Sequence, residues 1–200
     1  MRLSVVLKCR ELSLALDLTQ QQISLWQKNY ESDILERLNQ THTVRGFFIT
    51  TVDVLTEAID ALMQRIFRKD NFAVKSVVEP LLHDTGPLGD LTVRLKLLFG
   101  LGVIPDEVFH DIEHLIKLRN QLNHDATEYQ FTDPQILAPI KALNLVKKMG
   151  MLHLNVVEPD DDIDLSFYHL QLQRQQQVIK SGLSLAIIQI CNALNKDSPF

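Results

Sequence analysis

Between residues 43 and 68 the apolar side chains Phe48, Val52, Leu55, Ile59, Leu62 and Ile66 recur at steps of 4, 3, 4, 3 and 4. That spacing puts them on one face of a helix several turns long, and such a face is stable only against another apolar surface. A second series of the same kind, Ile179, Leu183, Ile187, Ile190 and Leu194, runs along residues 164–195. Two long one-sided helices constrain the chain to bury them against each other and against shorter helices. The expected fold is all-α, a single-domain multi-helix bundle with long N-proximal and C-terminal helices.

The segments between agree with this reading. Residues 3–16 and 19–39 read as two helices, with Thr19 as N-cap of the second. The run Arg65, Arg68, Lys69 closes the long helix at the negative pole of its dipole. Residues 71–82 form a shorter helix in which Pro80 loosens the last turn, and Thr85-Gly86-Pro87 is a turn. A helix at 89–99 is stopped by Gly100 and Gly102, which tolerate the left-handed cap conformation. The next helix spans 105–124 and carries Val108, Ile112, Leu115 and Leu122 on one face, with Arg119 in the missing place of that series. Asp133 and Pro134 read as cap and first residue of one helix to about Lys147, and residues 152–157 as an extended piece. The expected organisation is an N-terminal helical extension, 1–32, followed by a helical domain, 33–200.

Only 7 glycines and 7 prolines in 200 residues leave helix favoured over loop-rich folds. Cys9 and Cys191 lie far apart and form no ligand spacing, which suits a reducing, cytoplasmic setting. The N-terminal apolar run is broken early by Lys8, Arg10 and Glu11, unlike a signal peptide. No run approaches the roughly 18 apolar residues of a membrane span, so no membrane partner is expected. Net charge is −5, and Glu158, Asp160, Asp161, Asp162 and Asp164 account for it, leaving the remainder about neutral. Operator-DNA binding therefore lacks the basic composition that phosphate neutralisation favours.

Four groups of residues bear on chemistry or binding. Arg119, Asn120 and His124 resemble the signature of HEPN domains, whose arginine would steady a phosphate while the histidine moves a proton. On a straight helix, however, Arg119 and His124 point about 140° apart. The plain alternative is that Arg119 is partly buried and paired, with Asn123 and His124 closing the helix. His110 and His114 share a helix face at a spacing that can hold a metal, but HDIEH lacks the HExxH pattern and a third ligand. The stretch DLTQQQIS resembles the turn of a helix-turn-helix, in which Gln20, Gln21, Gln22 and Ser24 would face a major groove. Its alternative is a hairpin whose Leu16, Leu18, Ile23 and Trp26 pack on the bundle. The run Gln171–Gln177 offers a polar helix face, most simply a solvated one. No phosphate-binding glycine loop, nucleophile elbow or paired-carboxylate spacing is present, so no catalytic residue, cofactor or metal ligand is assigned.

The segments Leu35–Asn39, Thr43–Thr50, Phe67–Asp70, Glu79–Leu82, Gly86–Ile104 and Leu122–Asp125 resemble, in order and spacing, the mannitol operon repressor family. The resemblance covers about residues 33–190. It implies a bacterial cytoplasmic regulator that lowers expression of mannitol uptake and catabolism genes. The acidic to neutral charge points to action through protein contacts, on a DNA-bound transcription factor or another regulator. Direct operator binding by the N-terminal hairpin and an RNA-cleaving activity of Arg119 and His124 remain as alternatives. Long amphipathic helices also permit a homodimer.

Overall fold

A computed structural model describes residues 22, 24–67, 72–83, 85–150 and 165–196. These residues form helices and connecting turns: α1 (24–39), α2 (Val44–Ile66), α3 (Phe72–Leu82), α4 (Leu91–Gly100), α5 (Asp106–His124), α6 (Pro134–Ala142), α7 (Asn144–Lys148) and α8 (Leu165–Asn195). No strand occurs among the described residues. The helix expected at 3–16, the extended piece at 152–157 and the acidic loop lie outside them.

The two stripes meet as expected. Helix α2 runs through the centre and packs most extensively against α5 and α8. Phe48, Val52, Leu55, Ile59 and Leu62 of α2 are buried with Ile179, Leu183, Ile187, Ile190 and Leu194 of α8, in one core that α5 completes. Burying a Leu or Ile side chain contributes about 1.5–3 kcal/mol, so this seam is a substantial part of the drive to fold. Helix α2 starts where Thr43 accepts a hydrogen bond from Gly46 N at 3.0 Å. Arg65, near its end, reaches across to α8, donating to the Leu194 carbonyl at 2.6 Å. The end of α1 is closed from α8 as well: Lys180 Nζ donates to the carbonyls of Thr41 and Asn39.

Helix α8 corrects one expectation. Its stretch Ser166–Asn195 is, by length and composition, apolar enough to cross a membrane, yet 56% of its most apolar window is buried inside the bundle. The apolar content is that of a core helix, since its buried residues follow the same 4-3 spacing as the stripe on α2.

Two helix ends also differ from the sequence reading. Gly100 lies within α4, and only Gly102 takes the left-handed conformation, at φ +70°. The single helix expected over 133–147 is two helices, α6 and α7, broken at Leu143, whose ψ of 134° is extended. The break has a cause on another helix. Asp111 of α5 is fully buried, and its carboxylate accepts hydrogen bonds from Asn144 N at 2.7 Å, Leu145 N at 2.9 Å and Asn144 Nδ2 at 3.0 Å. It caps α7 from a distance of more than thirty residues in sequence. Asp133 holds the N-cap position of α6, but its side chain makes no cap bond there and instead accepts from Gln130 N at 2.7 Å.

Candidate functional site

Residues of the segment Glu79–Arg94 build one wall of a cleft of about 780 Å³ between α2, α3 and α4. Pro80 sits inside α3 without ending it, and the chain reverses through Gly86. A Cβ on Gly86 would stand 2.4 Å from the Pro80 carbonyl oxygen and 2.5 Å from that of Leu81, so no other residue fits this reversal unchanged. Asp90 then opens α4, accepting from Thr92 N at 2.7 Å and Val93 N at 3.1 Å. Those bonds, that from Val93 first, hold its carboxyl below the usual carboxylate range.

Arg94 locks the wall in place. It is only 7% exposed, and its guanidinium donates to the carbonyls of Leu82, Leu88 and Gly89 and to the Asp60 carboxylate on α2. Every nitrogen of the fork is engaged, which a point-charge lysine would not reproduce. Asp60 keeps 40% of its side chain exposed and faces the cleft with Gln64, Glu79, His83 and Thr85, above an apolar floor of Met63, Pro80 and Leu82. Arg94 follows Leu91 by three residues and precedes Leu98 by four, so a position on the apolar side of α4 was legible in the sequence; its role was not.

The residues singled out from sequence are not brought together. Helix α5 continues through His124, so the joint Arg119–His124 site would need the helix to end sooner. His124 and Asn120 are exposed, whereas Arg119 is half-buried with an Nε that has no hydrogen-bond partner. The closing residue of α5 is Asp125 rather than Asn123 or His124. Its carboxylate accepts from Tyr129 Oη and Thr127 N, in that order of effect, which holds its pKa down to about 2. Arg45 at the start of α2 donates to the Asp125 and Thr127 carbonyls, pinning the loop after α5 to the bundle.

His110 turns its Nδ1 to the Asp106 carbonyl at 2.8 Å, and His114 is exposed. No cluster of three or more His, Cys, Asp or Glu suited to a metal occurs among the described residues. Asp111 between them, read from sequence only as a break in a metal motif, is the helix cap described above; its place three residues after Val108 and four before Leu115 marks it as inward-facing.

Of the proposed groove-reading residues, Gln20 and Gln21 lie outside the described residues, and Gln22 and Ser24 are exposed at the start of α1. Trp26, expected to pack on the bundle in the alternative reading, is 57% exposed and stacks on Tyr30 with ring centroids 5.4 Å apart. Cys191 is buried, and that burial pushes its thiol up to about 12. In the run Gln171–Gln177, Gln176 donates to Gln130 at 2.7 Å, tying the polar face of α8 to the loop before α6.

Comparison with known proteins adds what no side chain reveals. The family model described as Mannitol repressor matches residues 30–195. The chain is 45% identical over 175 residues to the mannitol operon repressor of Escherichia coli strain K12, covering 86% of this chain and 85% of that one. It is 27% identical over 158 residues to fumarase E of the same strain, covering 78% and 92% of the two chains. Among solved structures, that of the MtlR–HPr complex from Escherichia coli superposes with a TM-score of 0.76 at 46% identity, over 83% of this chain and 98% of that chain. A possible transcriptional regulator, YggD, from Shigella flexneri superposes with a TM-score of 0.69 at 25% identity, over 82% and 98%.

Proposed function

The chain belongs to the mannitol repressor family, and we propose that it is a cytoplasmic repressor of mannitol uptake and catabolism genes that acts through protein contacts, with an HPr protein as partner. The observation that carries this reading is the solved repressor–HPr complex, whose repressor chain this one covers almost end to end. Charge supports it: at −5 overall the chain lacks the basic excess expected of a protein that holds DNA through phosphates. The geometry supports it too, since the described residues offer helix faces and hold no cluster of His, Cys, Asp and Glu suited to a metal. The separation of Arg119 from His124 on α5 speaks against the ribonuclease alternative.

Two measurements on the purified full-length chain test the proposal. Calorimetric titration with HPr is expected to give saturable one-to-one heat, and absence of heat with well-folded protein overturns the partner assignment. A gel shift with the control region of the mannitol genes distinguishes the direct-binding alternative. A shift by the chain alone that weakens steeply with salt places the contact on DNA; a shift only when a regulator is added is the outcome expected here. The name fumarase E on more distant relatives gives a third check: fumarate hydration by this chain is expected to stay at the rate of buffer.

A further inference from the structure

We infer that a small pit between the end of α5 and the start of α6 receives an arginine or lysine side chain of the protein partner. This deepens the protein-contact reading of the function and rests on it. The volume of the pit, about 210 Å³, falls below the range of about 300–1,000 Å³ usual for small-molecule sites. A single side chain of a docking protein is the occupant that such a size suits. The walls are fixed before anything binds. Arg45 pins the loop after α5 through the Asp125 and Thr127 carbonyls. Further along that loop, buried Phe131 stands edge-on to Phe47 of α2, with ring centroids 5.3 Å apart. Binding therefore costs little further ordering on this side of the contact.

The lining selects a cation. Asp125 brings a carboxylate that is ionised at neutral pH, because Tyr129 Oη and Thr127 N donate to it. Each carboxylate oxygen accepts one of those bonds and keeps a lone pair for a further donor. The Tyr129 hydroxyl proton is spent on Asp125, so an anion would find no donor there. Gln121 and Gln135 complete the rim with amides that can turn an oxygen toward a bound cation. Among the described residues no lysine or arginine lines the pit. Arg45 bonds the carbonyls of Asp125 and Thr127 and not the Asp125 carboxylate. The charge around the mouth has one sign, since residues 120–140 hold Asp125, Glu128 and Asp133 and neither lysine nor arginine. The floor then separates a side chain from a free ion. Leu118, Leu122 and Ile136 suit the methylene stem of a basic residue while its head meets carboxylate and amide. Arginine is the better match, because its planar fork bonds a carboxylate and an amide oxygen at once.

Amide NMR of the full-length chain with N-acetyl-arginine amide and N-acetyl-lysine amide tests the pit by itself. At constant ionic strength, saturable shifts centred on Gln121, Asp125, Tyr129 and Gln135 are expected, and N-acetyl-glutamine amide should leave them unmoved. Gln121→Lys changes an exposed side chain and places a cation in the mouth, so it should keep the melting temperature and abolish those shifts. In calorimetry the same variant should weaken HPr binding about thirtyfold, the scale of losing an interface hot spot. Gln121→Glu should bind HPr at least as tightly as the unsubstituted chain. Gln64→Lys is the control and should change neither readout; it lies nineteen residues along α2 from Arg45, about 28 Å away. Shifts that are absent or scattered with both basic probes overturn the assignment. So does HPr binding that Gln121→Lys leaves unchanged, or that Gln121→Lys and Gln121→Glu weaken equally. Saturable shifts with the basic probes but no heat from HPr support the pit and overturn HPr as the partner, which tells the two failures apart.

Discussion

Asp111→Ala is the most informative single change to the fold, because one carboxylate decides where one helix ends and the next begins. Asp111 has no exposed surface, and it receives the two backbone N–H groups that open α7 together with the Asn144 amide. Removing it strands those donors in a half-buried setting. Loss of a capping side chain costs about 0.5–2 kcal/mol, and each buried donor left unpaired costs about 1–3 kcal/mol. Relief of the buried charge offsets part of this. The net expectation is a loss of about 2–3 kcal/mol for Asp111→Ala, and about 1 kcal/mol for Asp111→Asn, which keeps one acceptor oxygen. Against a total of about 5–15 kcal/mol, the alanine variant should melt about 4–12 °C lower. Urea unfolding followed by circular dichroism reads the free energy, and amide exchange at Asn144 and Leu145 locates it. A change under about 0.5 kcal/mol, or unaltered exchange at those two amides, would refute the claim that α5 caps α7.

Three further outcomes follow from named contacts. Arg94→Lys keeps the charge but not the planar fork, so some of the carbonyls of Leu82, Leu88 and Gly89 lose their donor; a loss of about 2–4 kcal/mol in urea unfolding is expected. Leu183→Ala, in the fully buried seam, should cost about 2–5 kcal/mol, whereas Leu185→Ala, 49% exposed on the same helix, should stay within about 0.5 kcal/mol. The Arg37–Glu57 pair, with its two N–H···O bonds of 2.7 and 2.8 Å, lowers the Glu57 pKa chiefly through those bonds. A depressed carboxylate contributes stability that is complete above its unfolded pKa and lost as pH falls through the folded one. Arg37→Ala should therefore destabilise by less than about 1 kcal/mol at neutral pH, since the pair is solvent-screened, and the difference from the unsubstituted chain should vanish on acidification.

How far the sequence reveals this molecule differs between its apolar and its polar positions. The stripes of α2 and α8 were legible to within a residue or two, because an apolar period of 3.6 has a single economical explanation. The split of α6 from α7 was not. Apart from Pro139, which stands inside α6, residues 135–147 carry no strong helix breaker, and the groups that open α7 after Leu143 are held by Asp111, which lies more than thirty residues earlier. Arg65 and Lys180 show the same limit. Each reads as an ordinary basic residue on its own helix, yet each terminates a different helix by taking its last carbonyls. Local pattern records which face a residue occupies, and tertiary contact decides what it does there.

That distinction explains why the chemistry-bearing residues picked from spacing alone did not converge, while the cleft emerged from residues without a motif. His110 and His114 share one face of α5 with no cluster of three metal-binding side chains among the described residues, and Arg119 points about 140° away from His124 on the same helix. A concave site needs side chains from several elements converging on one volume. Here Asp60 and Gln64 come from α2, His83 and Thr85 from the reversal after α3, and Arg94 from α4. Charged residues that fall on an apolar stripe are thus the better signal in a helical bundle of this kind. Arg94 and Asp111 both break an otherwise apolar face, and each does so to hold a turn that no local sequence would hold. Arg119 is the third residue of this type, half-buried with an unpartnered Nε. By the same logic its guanidinium belongs to packing at the end of α5, beside the loop that Arg45 pins. Arg119→Met should therefore alter stability rather than HPr binding; a variant that unfolds like the unsubstituted chain but no longer titrates with HPr would move Arg119 from the frame of the molecule to its contact surface.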